Sequence, residues 1–149
     1  MNGSGGNDRF DVLPVGGRTR VTRDIENVNL DLNDLERVDI LPGPGGDIMR
    51  AGDLSGTDTD RVDFNLSVAR GQTGGDDLID RVFVDGTFGN DTINVNGAGP
   101  DVRTSGLAAV TTVRGTDAEL DRLHVDTKPG PDTLTVTGTT NQLIGFTAS

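Results

Sequence analysis

The sequence predicts an all-β chain, a parallel β-solenoid (β-roll or β-helix) of about seven coils of roughly 20 residues each. Three observations carry that expectation. Apolar residues recur at a spacing of two, as in Val28-Asn29-Leu30-Asp31-Leu32 and Arg81-Val82-Phe83-Val84-Asp85, which is the period of a strand and not of a helix. Val, Thr and Ile dominate these runs, and clusters of Gly, Asn and Asp punctuate them. The stretch 80–95, made of an alternating run, a Gly-Asn-Asp turn and a second alternating run, returns with equivalent positions 41 further on, Arg81 to Arg122 and Asp91 to Asp132. A fainter copy runs from Arg37 to Ile48. Short strands with Gly/Asp turns also describe an antiparallel sandwich. The constant offset favours coils, because a sandwich has no reason to translate by a single step.

Composition narrows the classes. The 149 residues amount to one domain, 1–149, but 32% are hydrophobic, five Phe are the only aromatic residues and 22 are Gly. Such a chain spreads a thin aliphatic core along its length, as repeat proteins do. The formal charge of −11 argues against nucleic acid and against anionic lipid, and it is compatible with cations. With no cysteine there is neither a disulfide framework nor a thiolate metal site or nucleophile. No run approaches the roughly 20 apolar residues of a membrane helix, so membrane insertion is not expected. Met1-Asn2-Gly3-Ser4-Gly5-Gly6 lacks the basic and apolar regions of a signal peptide, and the chain opens inside a turn motif. The expectation is a piece of a longer repeat array, or a protein exported without an N-terminal signal.

Taken in order, Gly3-Ser4-Gly5-Gly6-Asn7-Asp8 is a turn, followed by Phe10 and Val12 on one strand face. Val28–Leu32 reads as a half-buried strand. Gly43-Pro44-Gly45-Gly46-Asp47 and Ser55-Gly56-Thr57-Asp58-Thr59-Asp60 are turns. Arg61–Leu66 is a strand before the glycine-rich stretch 71–77, and Gly97-Ala98-Gly99-Pro100-Asp101 turns the chain again. Leu107-Ala108-Ala109 and the segment 116–121 have helical composition but are too short to nucleate alone, so both read as corners. Leu143, Ile144 and Phe146 are positioned to close one end.

The turns form two interleaved rows. One holds the acids that start strands, Glu36, Asp60, Asp80, Asp101 and Asp121; the other runs Asp8, Val28, Asp47, about Ala69, Asp91, about Thr111 and Asp132. Stacked coils would bring Asp60, Asp80, Asp101 and Asp121 into a column of like charges, which a divalent cation would bridge.

Gly86-Thr87-Phe88-Gly89-Asn90-Asp91-Thr92-Ile93-Asn94 resembles the glycine- and aspartate-rich nonapeptide of the haemolysin-type calcium-binding, or repeats-in-toxin, proteins. Gly3–Asp11 is similar, and 72–80 and 127–135 keep the fourth glycine, the sixth-position aspartate and the apolar eighth position. The resemblance implies calcium held between successive turns, metal-driven folding and an extracellular location. The nonapeptides here are not in tandem, the first two glycines are often missing, and Pro129 and Pro131 occupy turn positions, so fewer ions than coils are expected.

Calcium also has a case from the residues alone. It takes six to eight oxygens from carboxylates, amides and backbone carbonyls, and a Gly-Asn-Asp turn offers all three. The candidate metal-binding residues are Asn7, Asp8, Asp47, Asp60, Asp76, Asp77, Gly89, Asn90, Asp91 and Asp132. The alternative is that Asp and Asn beside Gly are ordinary turn formers. Arg37, Arg61, Arg81 and Arg122 face away from the apolar residues and are expected to pair with Asp39, Asp63, Asp85 or Asp126. His124, the single histidine, sits outward with no Ser or Cys motif, so no enzyme is expected. The leading expectation is a calcium-stabilised structural or spacer module. Self-assembly through open solenoid ends is the alternative, and an ice-binding Thr face built on Thr133, Thr135 and Thr137 is a minor one.

Overall fold

The computed structural model describes all residues, 1–149. It is all-β, with thirteen strands: β1 (Arg9–Val15), β2 (Arg18–Arg23), β3 (Val28–Leu32), β4 (Arg37–Ile40), β5 (Ile48–Ala51), β6 (Arg61–Asn65), β7 (Arg81–Asp85), β8 (Thr92–Ala98), β9 (Asp101–Ser105), β10 (Val110–Arg114), β11 (Arg122–Asp126), β12 (Thr133–Gly138) and β13 (Gly145–Ala148). One helical turn, α1 (Thr140–Leu143), lies between the last two strands. No helix is long and apolar enough to cross a membrane.

The strands form two mixed sheets, one of seven in the order β13-β11-β7-β5-β1-β2-β3 and one of six in the order β12-β8-β9-β10-β6-β4. This corrects the expectation of a parallel solenoid of about seven coils. The chain doubles back at β1-β2-β3 and at β8-β9-β10, where every pairing is antiparallel. The cause is local. Gly16 and Gly99 both adopt φ +60 in tight turns, a left-handed geometry that suits glycine and returns the strand beside itself. β2 has no counterpart among the strands the sequence predicts, although Thr19, Val21 and Arg23 alternate inward along it.

The offset of 41 does survive, as a register. Arg122 pairs with Arg81 and Asp126 with Asp85 in the parallel β7–β11 ladder, and Thr133 pairs with Thr92 between β8 and β12. Parallel pairing also joins β1 to β5 and β5 to β7, β4 to β6, β6 to β10, and β11 to β13.

Inward side chains of both sheets form one core of 21 buried residues, centred on Phe10, Val12, Met49, Phe64, Val82, Ile93, Val95, Leu123 and Val125. The strict alternation of β8, with Ile93 and Val95 fully buried between exposed Thr92, Asn94 and Asn96, shows how period two supplies that face. Each such aliphatic side chain contributes about 1.5 to 3 kcal/mol of burial. β3, expected to be half-buried, is instead an edge strand whose Leu30 is 41% exposed. The corner segments 107–109 and 116–121 are bends and turns as expected. Ile144 is fully buried, with Leu143 and Phe146 packed against the core. At Gly97 an added Cβ would lie 2.3 Å from the Thr140 nitrogen, so the α1 turn packs directly onto the β8 backbone.

Candidate functional site

The most developed polar arrangement is a ladder of aspartates, each the residue just before a strand: Asp8 before β1, Asp47 before β5, Asp80 before β7 and Asp121 before β11. The Asp8 N–H donates to Asp47 Oδ1 at 2.7 Å, the Asp47 N–H to Asp80 Oδ1 at 2.8 Å, and the Asp80 N–H to Asp121 Oδ1 at 2.9 Å. In the other direction, the N–H groups of Ile48, Arg81 and Arg122 donate to the carbonyls of Asp8, Asp47 and Asp80. Every step thus ties two strand starts reciprocally, and all four aspartates are buried. On the six-stranded sheet Asp91 and Asp132 repeat the step, the Asp91 N–H donating to Asp132 Oδ1 at 2.9 Å and the Thr133 N–H to the Asp91 carbonyl.

The second carboxylate oxygen distinguishes the members. In three turns it accepts the backbone N–H four residues earlier: Ser4 to Asp8 at 2.7 Å, Thr87 to Asp91 at 2.7 Å, and Asp117 to Asp121 at 2.7 Å. The Ser4 hydroxyl adds a second bond to Asp8 Oδ2, and the Thr87 hydroxyl donates to the other oxygen of Asp91, Oδ1. Asp8 also accepts from Arg23 Nε at 2.6 Å, a buried ion pair. Asp47 has glycine, Gly43, at the equivalent position, and its Oδ2 is buried without any hydrogen-bond partner.

The electrostatics follow. Burial alone would push Asp8 up, but the bonds from Arg23 and Ser4 outweigh it and hold its carboxyl below the usual range. Burial pushes Asp47 up to about 6, against the lowering effect of the Asp8 N–H, with Asp8 and Asp76 as like-charged neighbours. Asp80 is pushed up to about 8, again mainly by burial, with Asp121, Asp47 and Asp76 adding repulsion. Burial raises Asp121 as well, opposed by the N–H groups of Asp117 and Asp80.

The candidate residues therefore fall into several places. Asp8 and Asp47 belong to the buried ladder, and Asp91 and Asp132 to its counterpart. Asn7 is exposed and its Oδ1 accepts the Gly46 N–H at 3.0 Å. Asp76 Oδ2 accepts the Gly45 N–H at 2.5 Å and Oδ1 the Leu78 N–H at 2.9 Å. Asp77 is exposed at φ 64, and its N–H donates to Asp117 Oδ2 at 2.8 Å. Gly89 and Asn90 form an exposed turn beside Phe88, the Gly89 N–H donating to Thr87 Oγ1 at 3.0 Å. Asp60 is exposed and opens β6 in the other sheet. The expected column of Asp60, Asp80, Asp101 and Asp121 is not formed, because Asp60 and Asp101 begin strands of the six-stranded sheet while Asp80 and Asp121 continue the ladder from Asp8 and Asp47. No three His, Asp or Glu side chains are grouped so as to hold a metal ion.

Two features escaped the sequence reading. Arg23 faces inward and pairs with Asp8; its alternation with Thr19 and Val21 was the available signal. The Ser4-to-Asp8 and Thr87-to-Asp91 spacing was also visible as Ser or Thr four residues before a strand-opening aspartate. The outward arginines are divided. Arg37, Arg61 and Arg114 converge on buried Asp63 at 2.9, 3.1 and 3.2 Å, with Arg37 also on Asp39 at 2.8 Å. Asp85 is instead taken by Arg50 at 2.6 Å and Lys128 at 3.4 Å, Asp126 by Lys128, and Arg122 Nη1 donates to the Asp121 carbonyl. His124 lies in a shallow groove of about 380 Å³ beside Phe83, ring centroids 5.9 Å apart, with its nitrogens against the Thr147 and Ser149 hydroxyls. Neither a protein-family model, a curated protein nor a solved structure matches the chain.

Proposed function

We propose that the chain is a structural, non-catalytic repeat module of a secreted or cell-surface protein, in which strand-opening carboxylates hold neighbouring strands in register. The ladder from Asp8 to Asp121 carries this reading. The Oδ1 atoms of Asp47, Asp80 and Asp121 are spent on backbone donors of the adjacent strand, and that of Asp8 on Arg23, rather than aimed at a shared point where a substrate would sit. An unmade buried hydrogen bond costs about 1 to 3 kcal/mol, so each step both stabilises and specifies its neighbour. Replacing Asp121 with Ala is expected to speed hydrogen exchange at the Asp80 amide while distant β8 amides stay protected. Unchanged Asp80 exchange would sink the reading.

A second reading adds calcium, favoured by Asp47 Oδ2, a buried carboxylate oxygen with no donor. Asp47 Oδ2 would be one of its oxygen ligands, and the ion would supply the positive charge that Arg23 supplies to Asp8. At a calcium concentration a hundredfold above its dissociation constant, stabilisation would be about 2.7 kcal/mol. Urea unfolding in calcium and in chelator should then differ for the wild type and coincide for Asp47→Asn. Coincident curves for the wild type would remove calcium and leave the structural reading standing.

A further inference from the structure

We propose that the free edge of β12 is a self-association surface, on which two copies of the chain pair antiparallel about a two-fold axis at Val136. β12 is the terminal strand of the six-stranded sheet. The N–H groups of Thr133 and Thr139 donate to the Asp91 and Gly97 carbonyls of the β8 side. Because bonding residues alternate along a parallel strand, the N–H and C=O groups of Leu134 and Val136, and the N–H of Gly138, point outward with no strand to receive them, while the φ of +67 at Gly138 turns its carbonyl out of the strand line. The side chains of Leu134 and Val136 lie on the core face, in register with fully buried Ile93 and Val95. Val136 is nevertheless 39% exposed, because the sheet ends there.

The edge lacks the devices that keep strands apart. Thr133-Leu134-Thr135-Val136-Thr137-Gly138 is uncharged, free of proline and rich in β-branched residues, within a chain of net charge −11. The far edges of both sheets differ. On β3, Asp31 is paired with Arg18 at 2.7 Å and faces Arg20 at 3.6 Å. Along β4 the N-terminal residues occupy part of the edge: the Met1 amino group donates to the Asp39 carbonyl, the Leu41 N–H to the Met1 carbonyl at 2.9 Å and the Gly3 N–H to the Leu41 carbonyl at 2.8 Å. A head-to-tail stack would have to use those charged and covered edges. A two-fold pair uses β12 twice and needs neither.

With the axis at Val136, that residue faces its own copy, Leu134 faces Gly138 of the second copy, and Thr135 faces Thr137 of the second copy. The outward groups then exchange about four hydrogen bonds, two between the Val136 residues and two from the Gly138 N–H groups to the Leu134 carbonyls, and the two exposed Val136 side chains cover each other. Like net charges oppose the pairing, so it strengthens with added salt.

Sedimentation equilibrium of the wild type from low to high micromolar concentration should show a monomer–dimer equilibrium that shifts toward dimer in salt. Val136→Lys, with an unchanged strand signal by circular dichroism, should lose the dimer. The chain has no cysteine, so Val136→Cys reports directly. Facing residues of a hydrogen-bonded antiparallel pair have Cα atoms about 5.5 Å apart, within disulfide range, and mild oxidation should give a covalent dimer. Leu30→Cys at the far edge should stay monomeric. A monomeric wild type across the range overturns the proposal and leaves the edge to a strand from another protein. Association that survives Val136→Lys, larger open-ended assemblies, or equal cross-linking through position 30 also overturns it.

Discussion

Asp8 and Asp80 occupy the same place in their turns, one residue before a parallel strand, yet they end in opposite states. Asp8 receives the Ser4 N–H, the Ser4 hydroxyl and the Arg23 guanidinium, and its carboxyl is held below the ordinary range. Asp80 keeps the ladder bond from Asp47 but lies among aspartates, and burial pushes it up to about 8. Burial by itself therefore does not decide whether a ladder carboxyl stays charged. What separates them is the Arg23 cation added to the Ser4 turn donors at Asp8; Asp121 accepts the Asp117 and Asp80 N–H groups without a cation and is still raised.

The largest break in this comparison is Asp8→Asn. It leaves the buried Arg23 guanidinium facing a neutral amide, and loss of one partner of a buried pair costs about 3 to 5 kcal/mol. Urea unfolding near neutral pH should show it. A cost under about 1 kcal/mol would mean that Arg23 reaches water and that the two ends of the ladder are alike.

Next in size is the pH dependence. Below the ordinary value of 3.8 the Asp80 carboxyl is protonated in both states and does not oppose folding. As pH rises the unfolded chain ionises first, so the stability present in acid is lost progressively until the folded carboxyl ionises near pH 8. Asp47 acts in the same direction over a window ending near 6, and Asp121 adds to it. Asp8 acts oppositely: its lowered carboxyl stabilises above 3.8, and that stability is lost as pH falls through the folded value. Stability should therefore peak in mild acid and fall toward pH 8 by on the order of 3 kcal/mol. Asp80→Asn keeps an oxygen for the Asp47 N–H and removes the charge, so it should flatten that fall. If Asp80→Asn leaves the profile unchanged, Asp80 is charged at neutral pH and the contrast with Asp8 disappears.

The smallest effect sharpens the role of the turn donors. Ser4→Ala and Thr87→Ala each remove a hydroxyl bond to a ladder carboxyl at 2.9 Å and leave the backbone bond in place. Each should cost about 1 kcal/mol in chemical denaturation. Ser4→Ala should also raise the Asp8 titration measured by carboxyl NMR.

Much of the secondary structure was legible in the chain. Period-two alternation located β1, β3, β6, β7, β8, β11 and β12, and the aspartates before strands were visible as a repeating feature. The offset of 41 named the true neighbours of β7 and β8, because in-register parallel strands of one repeat must carry equivalent residues side by side. The ladder was only half legible: its members were among the marked acids, but Asp60 and Asp101 were placed with the wrong neighbours.

The sequence by itself determined the strand period and most of the bends, because side-chain alternation and turn chemistry are local properties. Only the tertiary structure decided which strands are neighbours. Alternation has the same period in parallel and antiparallel strands, and Gly/Asp turns serve a hairpin as well as a corner, so nothing local separates β1-β2-β3 from successive coils. That pairing brought Arg23 to Asp8 and left Asp80 among carboxylates, and so it settled the charge of residues whose local sequences look alike.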